Sequence, residues 1–228
     1  MLRWLCLSIV CCYSAFAQDK FEVLAVEYPP FTTSKAADDG LAFLVLRQAF
    51  PAYKFKPLMV PPKRAYNMIQ NGQWCMSFYP GSEGVATDKL VLSEQAIKIG
   101  LVRLRQQEPF TWTDLDELVG LHIALLRSGE DSPFASRFYQ AGLVVTFTET
   151  IQQSMDLVMR QRVDIAMYDD YNFMQLPAAL REKLQFSDSM LLQTPITLFI
   201  NPHCNNLLPR AIQLRLVPSV KDKAAAAH

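Results

Sequence analysis

The chain lacks an excess of charge of either sign: 22 lysines and arginines balance 22 aspartates and glutamates over 228 residues. A neutral chain without a basic cluster has no electrostatic footprint for nucleic acid. Cysteine is scarce, with 5 copies, and histidine scarcer, with 3. His122, His203 and His228 stand far apart and outside any ligand spacing, so no metal site is written in the sequence. The 8 glycines form no phosphate-cradling loop. No apolar run beyond the N-terminus approaches the ~18 residues of a membrane span. These absences leave a chain expected to use neither metal, cofactor nor nucleic acid.

What is present is an ordinary globular balance, 50% hydrophobic and 19% charged. The N-terminus departs from it. Met1-Leu2-Arg3 gives a positive start, Trp4 to Tyr13 an apolar stretch, and Ala15-Phe16-Ala17 a small-x-small cleavage site. We expect residues 1–17 to be a secretory signal peptide, the mature chain to begin at Gln18, and the location to be periplasmic. The apolar stretch is too short to span a bilayer. Cys11 and Cys12 lack the Leu-small-small pattern that lipid attachment would need. Cleavage leaves Cys75 and Cys204, which in an exported protein either bridge or remain buried thiols.

The mature chain alternates strand and helix patterns. Phe21 to Val26 reads as a strand, Leu41 to Phe50 as an apolar helix, and Tyr53 to Leu58 as a second strand. Pro61-Pro62 opens a helix to Gln70, Asn71-Gly72 stops it, and Trp74 to Phe78 is a third strand. This β-α-β-α-β order predicts a mainly parallel sheet. The order then recurs. A short capped helix over 113–119 precedes a strand over 122–126, and Ser132-Pro133 starts a helix ended by Gly142. A strand over 144–147 follows, and Thr150 with Gln153 opens the next helix as a capping box. "NGQWCMSFYP" (71–80) even aligns without a gap on "RQRVDIAMYD" (160–169). Two similar lobes are expected. Extended stretches at 97–105 and 191–200 bracket the second and predict two crossings between the lobes. Asn205 to Leu216 reads as a terminal amphipathic helix, and "KDKAAAAH" as a flexible tail.

In "VDIAMYDDYNF" (163–173), Val163, Ile165 and Met167 alternate as a strand that stops in Asp169 and Asp170. Two carboxylates there serve either as a solvated turn capping the next helix or as an anchor for a ligand amine. Open α/β sheets take ligands just outside the carboxyl ends of their strands.

Five segments now stand in an order that resembles the family 3 extracellular solute-binding proteins of ABC transporters. They are "VEYPPF" (26–31), "GLAFLVLRQAF" (40–50), "PPKRAYNMIQNGQWC" (61–75), "TDLDELVGLHIALLRSG" (113–129) and "RQRVDIAMYDD" (160–170). The resemblance spans nearly all of the mature chain. It implies a two-lobed α/β fold of the type II periplasmic-binding-protein kind, with two hinge strands closing on a ligand. On this reading lobe one comprises 18–100 and 190–220, lobe two 101–189, and the tail 221–228. Cys75 and Cys204, if bridged, both fall in lobe one.

The resemblance also implies a small-molecule ligand, a membrane permease or receptor as partner, and a monomer. It places Asp169 where family members hold a ligand ammonium. Asp170 is expected to cap the following turn and Asp164 to be structural. Two features depart from the family. Seven residues before Ser93, where the carboxylate-binding Arg belongs, stands Ala86, with Lys89 the nearest cation in sequence; and Cys75 replaces an Asp.

The candidate binding set is Tyr28, Phe31, Arg64, Arg127, Ser128, Gly129 and Asp169. Tyr28 and Phe31 flank Pro29-Pro30 and can stack on a ligand, or Phe31 can belong to the core. Arg64 offers a planar fork for a carboxylate, or is a surface residue. Ser128 and Gly129, with Ser132, either present N–H groups to an anion or cap a helix. Arg127 could supply the counter-charge. The expected function is capture of a small zwitterionic or anionic, amino-acid-like solute by hinge closure for an ABC transporter, without catalysis. The alternatives are a ligand sensor of the same fold and a dehydratase-like enzyme, which would need an acid and a base converging on the substrate, roles for which no spacing selects Asp169 with Lys89 or His122.

Overall fold

The computed structural model describes residues 20–81, 84–129 and 132–217; the expected signal peptide, the tail, Glu130 and Asp131 lie outside them. The chain begins with β1 (Lys20–Ala25), α1 (Leu41–Ala49), β2 (Lys54–Met59), α2 (Pro62–Gln70) and β3 (Met76–Ser77). A long strand, β4 (Asp88–Leu104), leads into β5 (His122–Leu126), α3 (Pro133–Gln140), β6 (Val144–Thr148), α4 (Ile151–Met159) and β7 (Ile165–Asp169). Next come α5 (Asp170–Gln175), α6 (Ala178–Arg181) and β8 (Leu184–Phe186). The chain returns along β9 (Leu192–Ile200) and ends in a 3-10 turn, Pro202–Leu207, and α7 (Arg210–Gln213).

The helices follow from apolar spacing and caps. In α4, Ile151, Ser154, Met155 and Val158 are buried, one stripe at the helical repeat. The Thr150 hydroxyl accepts from Gln153 N, as the capping pattern predicts, while the Gln153 side chain returns to Glu149 N and not to Thr150. Ser132 caps α3 by accepting from Ala135 N, and Pro133 occupies the first turn, where its missing N–H costs nothing. The expected terminal helix is broken in two. Leu208 is extended (φ −88°, ψ 150°) before Pro209, because proline clashes with a helical predecessor.

One hydrogen-bonded ladder runs through the molecule in the order β2-β1-β3-β9-β4-β7-β5-β6, with β8 added on β4. β1 is parallel to β2 and β3; β5 is parallel to β6 and β7. The two parallel groups are joined by antiparallel β4 and β9. β4 starts at Asp88, nine residues before the expected Ile97, and pairs with β9 in two stretches. Asp88–Val91 face Ile200–Thr197, and Ala96–Ile99 face Pro195–Leu192, with a register shift between. The Ser93 hydroxyl spans the shift, accepting from Ile196 N at 2.9 Å.

Alternate residues of the inner strands enter opposite cores, as pleated strands covered on both faces require. In the first half, Val23 and Ala25 pack with Phe43, Leu46 and Met76, while Leu24 and Val26 pack with Ile69 and Trp74. In the second, Leu101, Ile123 and Ile165 share a cluster with Phe138, and Val102, Ala124 and Ala166 share one with Met155. Tyr28 packs on one cluster of each half. Cys75 and Cys204 are bridged, with Cα atoms 5.4 Å apart, which ties the turn after β9 to the start of β3.

Candidate functional site

The loop after β1 is held by the start of α1. Leu41 N donates to Pro30 O and Ala42 N to Phe31 O, at 2.9 and 2.8 Å. Gly40 makes this approach possible. Its φ is +96°, and a Cβ there would lie 2.6 Å from Phe31 O. Within the loop Tyr28 N donates to Thr32 O, and the Thr32 hydroxyl donates to Val26 O. The Pro29–Pro30 peptide is cis. The loop therefore presents Tyr28 and Phe31 at the carboxyl end of β1 on a fixed backbone.

The facing element is the end of β7. Asp169 is fully buried and caps α5: Oδ1 accepts from Asn172 N at 2.8 Å, and Oδ2 from Asn172 Nδ2 at 2.8 Å. Oδ2 also accepts from the Tyr28 hydroxyl, 2.8 Å away and 141 residues distant in sequence. Beside this bond the rings of Phe31 and Tyr171 meet edge to face at 5.4 Å, and Phe31 lies 6.0 Å from Tyr28. Burial pushes the Asp169 carboxyl above its usual range, against the lowering pull of the Asn172 and Tyr28 donors. Burial, then the adjacent Asp169 charge, pushes the Tyr28 phenol well above its usual range, so it stays a donor. The cap is Asp169 itself and not Asp170, whose Oδ1 accepts from Lys98 N. The capping reading holds for Asp169, in a buried and not a solvated turn, and the same carboxylate faces the other half of the molecule.

The remaining candidates are arranged differently. Arg127 Nε binds Glu149 Oε1 at 2.5 Å, and its guanidinium lies 6.0 Å over Phe147, so its charge is already matched. The Ser128 hydroxyl lies 2.9 Å from that of Ser132, and Ser132 N donates to Gly129 O. This group closes on itself around the start of α3. Arg64 is exposed in the first turn of α2, with no ion pair or side-chain hydrogen bond among the described residues. Lys89 is exposed and joined by two backbone bonds to Val217. The structure brings together Tyr28, Phe31 and Asp169, and does not add Arg127, Ser128 or Gly129 to their contacts.

Two members of the contact were not read from the sequence. Asn172 stands three residues after Asp169, the spacing of a cap, and that signal was available. Tyr171 carried none, because its partner Phe31 comes from a distant loop. A concavity of about 590 Å³ lies elsewhere, lined by Lys20, Tyr53, Lys54 and Phe55 at the β1–β2 edge. Its Arg47 and Lys56 are paired with Asp39 and Glu22.

No protein-family model matches the chain, and no curated protein matches its sequence. Solved structures do match. The arginine-bound form of ArgBP from T. maritima is 14% identical, with 86% of this chain and 93% of that one covered at a TM-score of 0.61. An arginine transport-system periplasmic binding protein from Legionella pneumophila is 14% identical, covering 91% and 94%, also at 0.61. The GluR0 ligand-binding core from Nostoc punctiforme with L-glutamate is 13% identical, covering 86% and 90%, at 0.60. These likenesses show the fold. It is the type II periplasmic-binding-protein fold, mixed α/β, with two lobes joined by two strands.

Proposed function

We propose that this chain captures a small polar, amine-bearing and amino-acid-like solute between its lobes by hinge closure, and delivers it to a membrane permease. The observation that carries this reading is Asp169: a fully buried carboxylate at the end of β7 that faces the opposite lobe across a hydrogen bond. A ligand ammonium would bind there, Tyr28 and Phe31 would cover its apolar part, and Arg64, free of partners among the described residues, would take an anionic group. The arginine-bound and glutamate-bound states of ArgBP and the GluR0 core lend support, since this fold holds amino acids in those proteins.

We propose the lobes as 18–100 with 190–220 against 101–189. The strands that join them carry the register shift between Val91 and Ala96, on the lobe-one side of that boundary. Export to the periplasm is supported by the formed disulfide, which belongs with oxidising compartments. We propose binding without turnover. The parallel register sets His122 one residue before Ile123 and Asp169 four beyond its partner Ile165, about 16 Å apart along the strands. A proton relay between them has no geometry. The sensor reading shares the same cleft and draws on the GluR0 core, a ligand-binding core of the same fold.

Thermal unfolding against amino acids, polyamines, organic acids and small peptides tests the proposal. A ligand at a thousandfold its dissociation constant should add about 4 kcal/mol. At roughly 2–4 °C per kcal/mol the midpoint shift is large. Asp169→Ala should abolish the shift while the far-ultraviolet spectrum stays the same. A panel without a hit, or an unchanged shift in the variant, would sink the reading.

A further inference from the structure

The Asp169 carboxylate has room for about four hydrogen bonds. Three are made: two to Asn172, three residues away on α5, and one to Tyr28 from the other lobe. The Asn172 pair is part of a helix cap and moves with lobe two. Tyr28 is the donor that leaves when the lobes separate. Its ring packs on a core cluster of each half, and the Phe31–Tyr171 ring contact closes beside it. The closed cleft is thus satisfied by the protein's own groups, with a phenol standing where an incoming donor would bind.

We propose that Tyr28 is a built-in competitor for the solute: its hydroxyl latches the lobes together on Asp169, and a ligand enters by displacing it with a protonated amine. The ligand class rests on the proposed function above; the latch rests on the contacts alone. A neutral hydroxyl from a sugar or polyol would exchange one hydroxyl for another at Asp169 and gain nothing. A cationic donor makes a charge-assisted bond roughly twice as strong as a neutral one, so it wins the exchange. The latch would therefore act as a filter on ligand charge, and set the affinity of every ligand that passes.

Small-angle scattering of the purified protein without added ligand tests the latch directly. The wild type should be compact. Tyr28→Phe keeps the ring and loses the bond, and Asp169→Asn keeps the shape and loses the charge. Removing a hydrogen bond to a charged group should move the closed-to-open ratio roughly ten- to a hundredfold, so the radius of gyration should rise for Tyr28→Phe, with a smaller rise for Asp169→Asn. Equal radii for all three proteins overturn the latch, whatever the protein binds.

Calorimetry with L-arginine, 1,4-diaminobutane and D-glucose tests the competitor. An amine probe that binds the wild type should bind Tyr28→Phe about tenfold more tightly, and glucose should leave the wild type unbound. Weaker amine binding by Tyr28→Phe would make the Tyr28 hydroxyl a hydrogen-bonding partner of the ligand and overturn its role as competitor. If glucose binds the wild type, the charge filter is overturned. If neither amine binds while the scattering differs, the latch stands and the amine-solute reading fails.

Discussion

The units α2–β3 and α4–β7 are built alike and end differently. Both helices stop on a left-handed residue, Gly72 at φ 69° and Gln161 at φ 54°. Both close with matching backbone bonds, Gly72 N to Ile69 O with Gln73 N to Met68 O, and Gln161 N to Val158 O with Arg162 N to Leu157 O. Each strand then lies parallel to one neighbour and antiparallel to another. Even Tyr79 and Tyr168, aligned in the two units, share a phenol pushed up by burial to about 12. The strand ends are where they part. β3 is two residues long, and the Ser77 hydroxyl donates back to Tyr79 O. β7 runs five residues, to Asp169. Framework and chemistry are therefore separable: a helix stop and a strand pairing recur, and the buried carboxylate at the strand's end sets one copy apart as the candidate site.

The largest expected difference between the halves is covalent. The Cys75–Cys204 bridge belongs to the first half, and the sequence has no cysteine between those two positions. Replacing both by Ser should cost about 2–5 kcal/mol. Thermal unfolding should show the first half melting earlier; an unchanged midpoint would mean the bridge adds no stability.

Next in size is a pH effect confined to the second unit. The folded Asp169 carboxyl is raised above its unfolded value, so its contribution to stability is complete below the unfolded range and is lost as pH rises through the folded value. Relative to Asp169→Asn, the wild type should lose stability over that window in denaturant titrations. A constant difference between the two proteins would remove burial as the governing cause.

The smallest effect is a backbone exchange. Gln161→Gly should stabilise and Gly72→Gln destabilise, each by about 1 kcal/mol, because a side chain costs energy at positive φ. Gly72 has nothing within 4 Å of a built Cβ, so strain alone would act there. Equal effects of the same sign would break the equivalence of the two helix stops.

Much of this could be read in the sequence because it is local. The Ser132-Pro133 and Thr150 caps, the His122–Leu126 strand and the strand that stops at Asp169 are set by neighbours within a few residues. Partners joined by register were not legible. Arg127 and Glu149 each follow the ladder pair Leu126–Thr148, so their ion pair exists only once β5 lies beside β6. The start of β4 was hidden for a related reason. Its first stretch is stabilised by β9, more than a hundred residues later, and the register shift interrupts its alternation. The Tyr28 bond to Asp169 joins the two cases: each residue was a candidate by its own context, while their meeting is a property of the closed fold.

The bridge between Cys75 and Cys204 has a topological consequence. It joins two positions 129 apart in sequence, so the whole excursion into the second half and back is a covalently closed ring, fastened where β3 begins and in the turn after β9. A protease that cuts anywhere inside that ring releases no fragment. The nicked molecule remains one covalent body, and the lobes stay tethered for reassociation in the oxidising surroundings where such a bridge persists.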